Sequence, residues 1–144
     1  MDEISQVFAS LAARRAIHAS MIACLYTASD WPSSCAPMLR SPSPKTGEVF
    51  DATFPKHLAV ALALNPAVHD GAVMIGRDNT ATPYRITGWS YRLFPNNTEA
   101  KQEANRGSAF NSCLAMSTVA GVDRLYFVTG GTAYRFANGH VGLL

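Results

Sequence analysis

The chain has 144 residues, of which 48% are hydrophobic and 15% are charged, whereas about 25% are charged in a typical soluble domain. This composition excludes an intrinsically disordered chain, because disorder needs low hydrophobicity and high charge. The length predicts one domain over residues 1–144 with a core of its own. The net charge of +2 is too small to predict a nucleic acid or a membrane surface as partner. An enzyme, a binding module and a virion or fibre subunit remain compatible with these values.

The sequence gives little sign of targeting or cross-linking. It contains no run of about 18 apolar residues, so we expect no membrane-spanning segment. The start Met1-Asp2-Glu3 lacks the positive charge that begins a signal peptide, which favours a cytoplasmic protein. Cys24, Cys35 and Cys113 have no metal-ligand spacing and are predicted to be reduced thiols. A Cys35–Cys113 disulfide in an exported protein is the alternative.

The first third of the chain predicts a helix, a strand and a long loop. Apolar residues recur at helical spacing over residues 2–13, which predicts an amphipathic helix with Asp2 at its N-terminus. The apolar segment 18–28 fits a strand or a continuation of that helix, and we favour a strand. Four prolines with serines between them predict a loop over residues 31–47. This loop is a lid, a partner-docking segment or a simple mobile surface loop.

The middle of the chain predicts a second helix and two strands. Thr53 is the expected cap of a helix that ends at Asn65-Pro66. Short apolar runs predict strands over residues 72–75 and 84–93, the second broken by Gly88. A polar loop is expected over residues 95–107. The expected buried face of the second helix consists of Leu58, Ala61, Leu62 and Leu64.

The last third predicts a helix followed by three strands. Ser108 is the expected cap of a third helix over residues 109–120, ended by Gly121. Strands are predicted over residues 124–129, 133–136 and 140–144, joined by turns at Gly130-Gly131 and Asn138-Gly139. The expected buried face of the third helix consists of Phe110, Cys113 and Leu114. The whole order predicts an α/β fold with a central mixed β-sheet flanked by helices.

Two glycine-containing turns are candidate ligand sites. Asp70, in an Asp-Gly pair before a buried strand, is able to hold a metal ion or a ribose hydroxyl, or it simply forms a turn. Gly107 and Ser108 begin the third helix, where free backbone N–H groups and the helix dipole favour a phosphate. Arg106 would add charge there. A plain Gly-Ser helix start is the alternative.

A third such turn, Thr129-Gly130-Gly131, follows a predicted strand. The sequence contains no Walker A, G-x-G-x-x-G or G-x-S-x-G motif. The scattered histidines predict no catalytic triad; His18, His57 and His140 are expected to be surface or packed residues.

The order of these motifs resembles the diadenylate cyclase (DAC) domain family over essentially the whole chain. His69-Asp70-Gly71-Ala72, at the start of a buried strand, matches the family's Asp-Gly-Ala motif. The segment GWSYRLFP, residues 88–95, matches a strand that ends in a Leu-Pro type sequence. Gly107-Ser108 matches a Gly-Thr/Ser pair at the start of a helix, and residues 125–141 match the last strand, turn and hairpin. The resemblance implies a mixed sheet flanked by helices.

This chain departs from the family where charge is needed. The family's Arg-His-Arg, which holds the triphosphate of ATP, is replaced by Ala109-Phe110-Asn111. Two acidic residues of the third turn are replaced by Gly130 and Gly131, which leaves Asp70 alone of the family's metal pair. Phosphoryl transfer depends on a metal ion and on cations that neutralise developing charge. The resemblance is therefore closest to degenerate, sensor-like members, which bind nucleotides without making them.

The resemblance implies a nucleotide-binding domain for an adenine nucleotide or a cyclic dinucleotide such as c-di-AMP. The alternative is a divergent diadenylate cyclase that makes a cyclic dinucleotide from ATP with Mg²⁺ or Mn²⁺. A structural protein that has kept only the fold is a third hypothesis. Expected partners are the nucleotide, an effector protein and a second copy of the chain, because family cyclases react face to face. The expected nucleotide-binding residues are Asp70 at the ribose, Gly71 and Ala72 at the base, Arg106, Gly107, Ser108 and Asn111 at phosphate, and Thr129, Gly130 and Gly131 at the rim.

Overall fold

The computed structural model describes residues 1–17, 19–95 and 106–144. Within these ranges the helices are α1 (Glu3–Ala13), α2 (Phe54–Leu64), a 3₁₀ helix (Pro66–His69) and α3 (Ser108–Met116). The strands are β1 (Met21–Thr27), β2 (Cys35–Pro37), β3 (Ala72–Arg77), β4 (Arg85–Leu93), β5 (Val122–Thr129), β6 (Thr132–Ala137) and β7 (His140–Leu143). The predicted α/β fold is confirmed. His18 and residues 96–105, which the expected strand 18–28 and loop 95–107 include, lie outside the described residues.

The described strands form one seven-stranded mixed sheet in the order β2-β4-β3-β1-β5-β6-β7. β1 and β3 are parallel, and every other neighbouring pair is antiparallel. The starts of β1 and β3 therefore meet the ends of β4 and β5, with Ile22 beside Ala72 and Ala72 beside Tyr91. We call this the cleft end of the sheet.

Strand β4 carries two more residues than the part of β3 that it pairs with. Ala72 lies opposite Tyr91 and Met74 opposite Gly88, so one residue is extra there; Ile75 lies opposite Ile86, which adds another. Each extra residue is a β-bulge. The predicted break at Gly88 is wrong, because β4 is continuous and the chain absorbs the irregularity as bulges.

The helices cover both faces of the sheet. Residues of α1 and α2 share one hydrophobic cluster with one face, and α3 residues share a second cluster with the other. In the first, the Phe8 ring stacks on Tyr126 with the ring centroids 4.2 Å apart. Both side chains are fully buried, and burial of such a side chain stabilises the fold by about 1.5–3 kcal/mol.

Helix α1 begins as predicted. The Asp2 carboxylate accepts a hydrogen bond from the Ser5 N–H at 2.7 Å, which satisfies one of the free donors of the first turn.

The prediction that Ser108 caps the third helix is wrong. Gly107, with φ at 85°, occupies the cap position without a side-chain hydrogen bond, and Ser108 is the first helical residue. The helix also ends at Met116, short of the expected residue 120. Ser117 and Thr118 donate their hydroxyls to the carbonyls of the last turn, at 2.6 and 2.8 Å, which replaces the bonds of a further helical turn. The expected buried face with Phe110, Cys113 and Leu114 is confirmed.

Two expectations for the second helix need correction. Thr53 occupies the N-cap position, but its hydroxyl makes no cap bond; it donates to the Asp51 carboxylate at 2.5 Å. Leu64 is 47% exposed, whereas Leu58 and Ala61 are buried as predicted. The buried face of the helix consists of Phe54, Leu58 and Ala61, and Leu64 lies to one side of that face.

Residues 31–47 are not entirely a loop. They contain β2, which pairs with the end of β4. Local composition could not reveal this strand, because its stabilising partner lies more than 50 residues away in the sequence.

The three thiols are free in the structure, and no Cys35–Cys113 disulfide is formed. Cys24 and Cys113 are buried, and Cys35 is partly exposed. Among the described helices, none has the length and the apolar character needed to cross a bilayer.

Candidate functional site

Two adjoining cavities lie between the cleft end of the sheet and the first turn of α3. Their volumes are about 360 and 250 Å³. Both are bordered by Ile22, Asp70, Gly71 and Ala109, so they form one continuous depression, which we call the cleft. The larger cavity is also lined by Met38, Ala72, Tyr91, Arg92, Leu93, Ser108 and Ser112, and the smaller one by Ser20, Met21, His69 and Phe127.

Gly71 allows the chain to enter β3 at the floor of the cleft. Its φ is +83°, a conformation that L side chains rarely adopt. A Cβ there would lie 2.9 Å from the backbone carbon of Ser90 and 2.9 Å from the carbonyl oxygen of Tyr91. The backbone of the predicted Asp-Gly-Ala turn therefore packs directly against the backbone of β4.

The Asp70 carboxylate is exposed at the mouth of the cleft. Its side chain is 68% exposed, and its Oδ2 lies 3.5 Å from Nη2 of Arg40. The Arg40 side chain is only 21% exposed, and its Nε donates to the Ser90 hydroxyl at 3.2 Å. Arg40 is thus anchored on the sheet and reaches the residue that the sequence singles out for metal or ribose.

The start of α3 forms the opposite side of the cleft. Ser108 and Ala109 line it directly, and the Asn111 N–H bonds the Gly107 carbonyl at 3.2 Å. Phe110 is buried, and the Arg106 guanidinium lies 5.1 Å from the centre of its ring. Arg106, Gly107 and Asn111 are not among the residues that line the two cavities.

The third predicted turn lies beside the cleft. The Thr129 hydroxyl accepts a hydrogen bond from the Ser20 hydroxyl at 2.9 Å, and Ser20 lines the smaller cavity. Gly130 and Gly131 lie against the Arg15 guanidinium; a Cβ on Gly131 would be 2.9 Å from Nη2 of Arg15. The lining of the two cavities includes none of the three turn residues.

Sequence reasoning missed the wall built by residues 31–47 and the end of β4. The Met38 N–H donates to the Ser90 carbonyl at 2.8 Å, which places the Met38 side chain beside Gly71. Ser90 is fully buried and has a φ of +57° at one of the β4 bulges. The length of the proline-rich segment was the only signal that it contributes to a site.

The donor set does not fit a resident Mg²⁺ or Mn²⁺. Asp70 is the carboxylate of the cleft lining, and the Arg40 guanidinium already contacts it. Among the described residues there is no cluster of three or more His, Cys, Asp and Glu side chains able to hold a metal ion. Mg²⁺ sites use carboxylates together with phosphate oxygens and water, and a cationic neighbour opposes metal binding.

No protein-family model matches the sequence, and no curated protein matches it significantly. Solved structures do match. A hypothetical membrane spanning protein from Bacillus cereus superposes with a TM-score of 0.64 at 15% identity, over 99% of this chain and 61% of that chain. DacA from Staphylococcus aureus, a diadenylate cyclase, gives a TM-score of 0.59 at 13% identity, over 98% of this chain and 83% of that one.

The fold is DAC-like. At these identities the likeness concerns the fold alone, and the chain spans about 61% of the Bacillus cereus protein's length. The DAC-like fold agrees with the resemblance carried by the Asp-Gly-Ala turn and by the motif order.

Proposed function

We propose that this chain binds an adenine nucleotide or a cyclic dinucleotide in the cleft and does not act as a cyclase. One observation carries the proposal: in a DAC-like fold, the Asp70-Gly71-Ala72 turn faces the start of α3 across a cavity of about 360 Å³. A ligand site of this kind needs an apolar wall with a few polar groups that fix orientation. Met38 and Tyr91 supply apolar surface, and Asp70 and Ser108 supply polar groups.

Each part of a nucleotide has a proposed contact. The exposed Asp70 carboxylate accepts hydrogen bonds from the ribose hydroxyls. Gly71, which has no Cβ, and Ala72 allow a flat base to approach the backbone. The N–H groups and the positive dipole end at the start of a helix favour phosphate, and the start of α3 borders the cleft. The proposed phosphate residues are Arg106, Gly107, Ser108 and Asn111, and the proposed rim is Thr129, Gly130 and Gly131.

We propose that cyclase activity is absent because the first turn of α3 lacks the cations, and the described lining of the cleft lacks the cluster of metal-binding carboxylates, that phosphoryl transfer needs. The segment that starts α3 presents Ala109-Phe110-Asn111, with Phe110 directed into the core. The cleft donors do not suit a catalytic metal ion. Metal ions and fixed cations each lower the barrier to phosphoryl transfer by several kcal/mol, so their loss slows the reaction severely.

Binding is tested by differential scanning fluorimetry with nucleotides and cyclic dinucleotides up to millimolar concentration. A ligand at one hundred times its Kd stabilises the folded chain by about 2.7 kcal/mol. We expect a rise in Tm that Asp70→Asn reduces. Asp78→Asn, an exposed carboxylate away from the cleft, is the matched control and should keep the full rise. A flat response to every compound would exclude the proposal.

The cyclase alternative is tested by incubation with ATP and Mg²⁺ or Mn²⁺, followed by mass spectrometry. We expect no cyclic dinucleotide. A cyclic product that Asp70→Asn abolishes would replace the binding proposal with catalysis.

We further propose that residues 1–144 act as one cytoplasmic domain that signals to an effector protein and associates with a second copy. The single sheet that runs through both halves of the chain supports the one-domain assignment. Light scattering with and without the bound nucleotide measures the association state.

A further inference from the structure

Positively charged side chains lie on one side of the cleft, away from the start of α3, and the sequence motifs do not explain them. In the described part of α3's first turn, residues 108–111, the sequence carries no cation. Two arginines lie on the opposite side, one in the lining of the cleft and one at its mouth. Arg92, near the end of β4, is exposed and lines the larger cavity, and Arg40 reaches its mouth at Asp70.

We infer that Arg40 and Arg92 also bind the phosphate groups of the ligand, from the wall opposite the start of α3, an inference that rests on the proposed nucleotide function. They would supply, from the wall of residues 31–47 and β4, the positive charge that α3 lacks. The ligand class is a nucleoside phosphate or a cyclic dinucleotide, whose phosphodiester or phosphate oxygens accept charge-assisted hydrogen bonds from guanidinium groups.

The geometry of Arg40 suits an exchange of partners. Its Nε is held by the Ser90 hydroxyl at 3.2 Å, which fixes the base of the guanidinium on the buried bulge of β4. Its Nη2 contacts Asp70 at 3.5 Å, at the outer limit of a hydrogen bond. When a phosphate binds Arg40, the Arg40–Asp70 ion pair breaks. This pair is long and lies at the surface, so its loss reduces the stability of the fold only slightly.

The pairing of β2 with β4 holds the segments that carry Arg92 and Arg40 side by side. Arg92 lies opposite Ala36 in the β2–β4 pair, and the Met38 N–H bonds the Ser90 carbonyl. The three-residue strand β2 thus keeps the segment that carries Arg40 beside the strand that carries Arg92. This gives residues 31–47 a defined role: they place a cation at the cleft.

The test is isothermal titration calorimetry with five probes: ATP, AMP, c-di-AMP, adenosine and inorganic pyrophosphate. Arg40→Gln and Arg92→Gln are compared with wild type and with Arg14→Gln, which removes an exposed arginine from the end of α1 on the other face. Hydrogen bonds to charged groups predict a loss of ATP affinity of roughly tenfold to a hundredfold for each cleft variant. Adenosine binding should change less than about twofold on the same basis, and Arg14→Gln should change neither.

The calorimetry distinguishes a failure of the two-arginine inference from a failure of the nucleotide proposal. If wild type binds ATP and both cleft variants bind it equally well, the two arginines are not the phosphate ligands, although nucleotide binding stands. If wild type binds pyrophosphate through these arginines but binds no nucleoside or nucleotide, the nucleotide proposal fails and an anion site remains. If wild type binds none of the probes, both fail. Arg92→Gln keeps the test decisive should Arg40→Gln unfold the chain, because Arg92 is exposed.

Discussion

Trp31 stacks on Tyr91, with ring centroids 4.8 Å apart and ring planes inclined by 20°. Tyr91 also lines the cleft. Trp31 is 42% exposed and lies at the start of the segment that carries Met38 and Arg40. A tryptophan therefore packs against a residue of the proposed ligand wall.

Ligand binding should change the fluorescence of Trp31, because a ligand against Tyr91 alters the packing and solvation of the stacked pair. The chain's second tryptophan, Trp89, is buried and donates its indole N–H to the Lys45 carbonyl at 3.1 Å. Trp31→Phe should abolish the ligand-dependent change and keep binding intact. A titration signal that survives in Trp31→Phe would place the responding group elsewhere.

Gly71→Ala should destabilise the fold more than Gly107→Ala. Both glycines have positive φ, +83° and +85°, and a side chain in such a conformation costs about 1–3 kcal/mol. At Gly71 the new Cβ also meets backbone atoms at 2.9 Å, whereas at Gly107 no atom of the described residues lies within 4 Å. Overpacking adds about 1–3 kcal/mol. Urea unfolding measures the difference, and equal losses would contradict the close backbone approach.

Ser5 and Tyr126 should show strong energetic coupling. Their hydroxyl oxygens lie 2.7 Å apart and both residues are buried. Ser5→Ala and Tyr126→Phe each leave a hydroxyl with one partner fewer and should each cost about 1–2 kcal/mol. The double variant should cost clearly less than the sum, by at least about 0.5 kcal/mol. Additive losses in urea unfolding would show that the hydrogen bond contributes nothing.

The Asp2 carboxylate should make stability depend on pH between about 4 and 2. Partial burial acts to raise its pKa, but hydrogen bonds from the Ser5 N–H and from the Arg124 guanidinium outweigh it and lower the pKa from 3.8 to about 2. The folded chain therefore holds this proton less tightly than the unfolded chain. The stabilisation is present above the unfolded pKa and is lost as pH falls toward the folded value.

Asp2→Asn should remove that contribution while keeping a good N-cap residue. Because the Asp2 side chain is 49% exposed, solvent screening limits the effect to below about 1 kcal/mol. Urea unfolding at pH 5 and pH 2.5 compares the two proteins. The gap between them should be present at pH 5 and narrow at pH 2.5; a gap that widens on acidification would refute the assignment.

Cys35 should be the first thiol to react in the native protein. Burial raises the pKa of all three thiols, but only Cys35 retains exposed surface. Ellman's reagent should modify Cys35 slowly, faster as pH rises, and should reach Cys24 and Cys113 only in denaturant. Cys35→Ser should abolish the native reaction. Fast native labelling of Cys24 would contradict its burial.

Local sequence signals predicted the Asp-Gly-Ala turn and the order of the α-helices and of every described strand except β2. Periodicity and glycine turns act over a few residues, so they locate the start of β3 at Ala72 and the hairpin at Asn138-Gly139 correctly, although β3 runs on to Arg77. The other wall of the cleft depends on distant contacts. Arg40 lies 30 residues from Asp70 and 50 from Ser90 in sequence, and no spacing rule connects them. The end of α3 was missed for a local reason, because the hydroxyls of Ser117 and Thr118 compete with the helix.

The paired bulges of β4 also constrain how this chain tolerates changes in length. Each extra residue reverses the alternation of side chains between the two faces, and two of them restore it. Ile86 consequently packs with α1 and α2, while Tyr91 and Leu93 pack on the α3 side. A deletion in β4 that no bulge absorbs would shift the pairing by one residue and direct Tyr91 to the wrong face, whereas loss of an extra residue together with its bulge would keep Tyr91 opposite Ala72. The cleft therefore depends on the number of residues in β4 as well as on their identity.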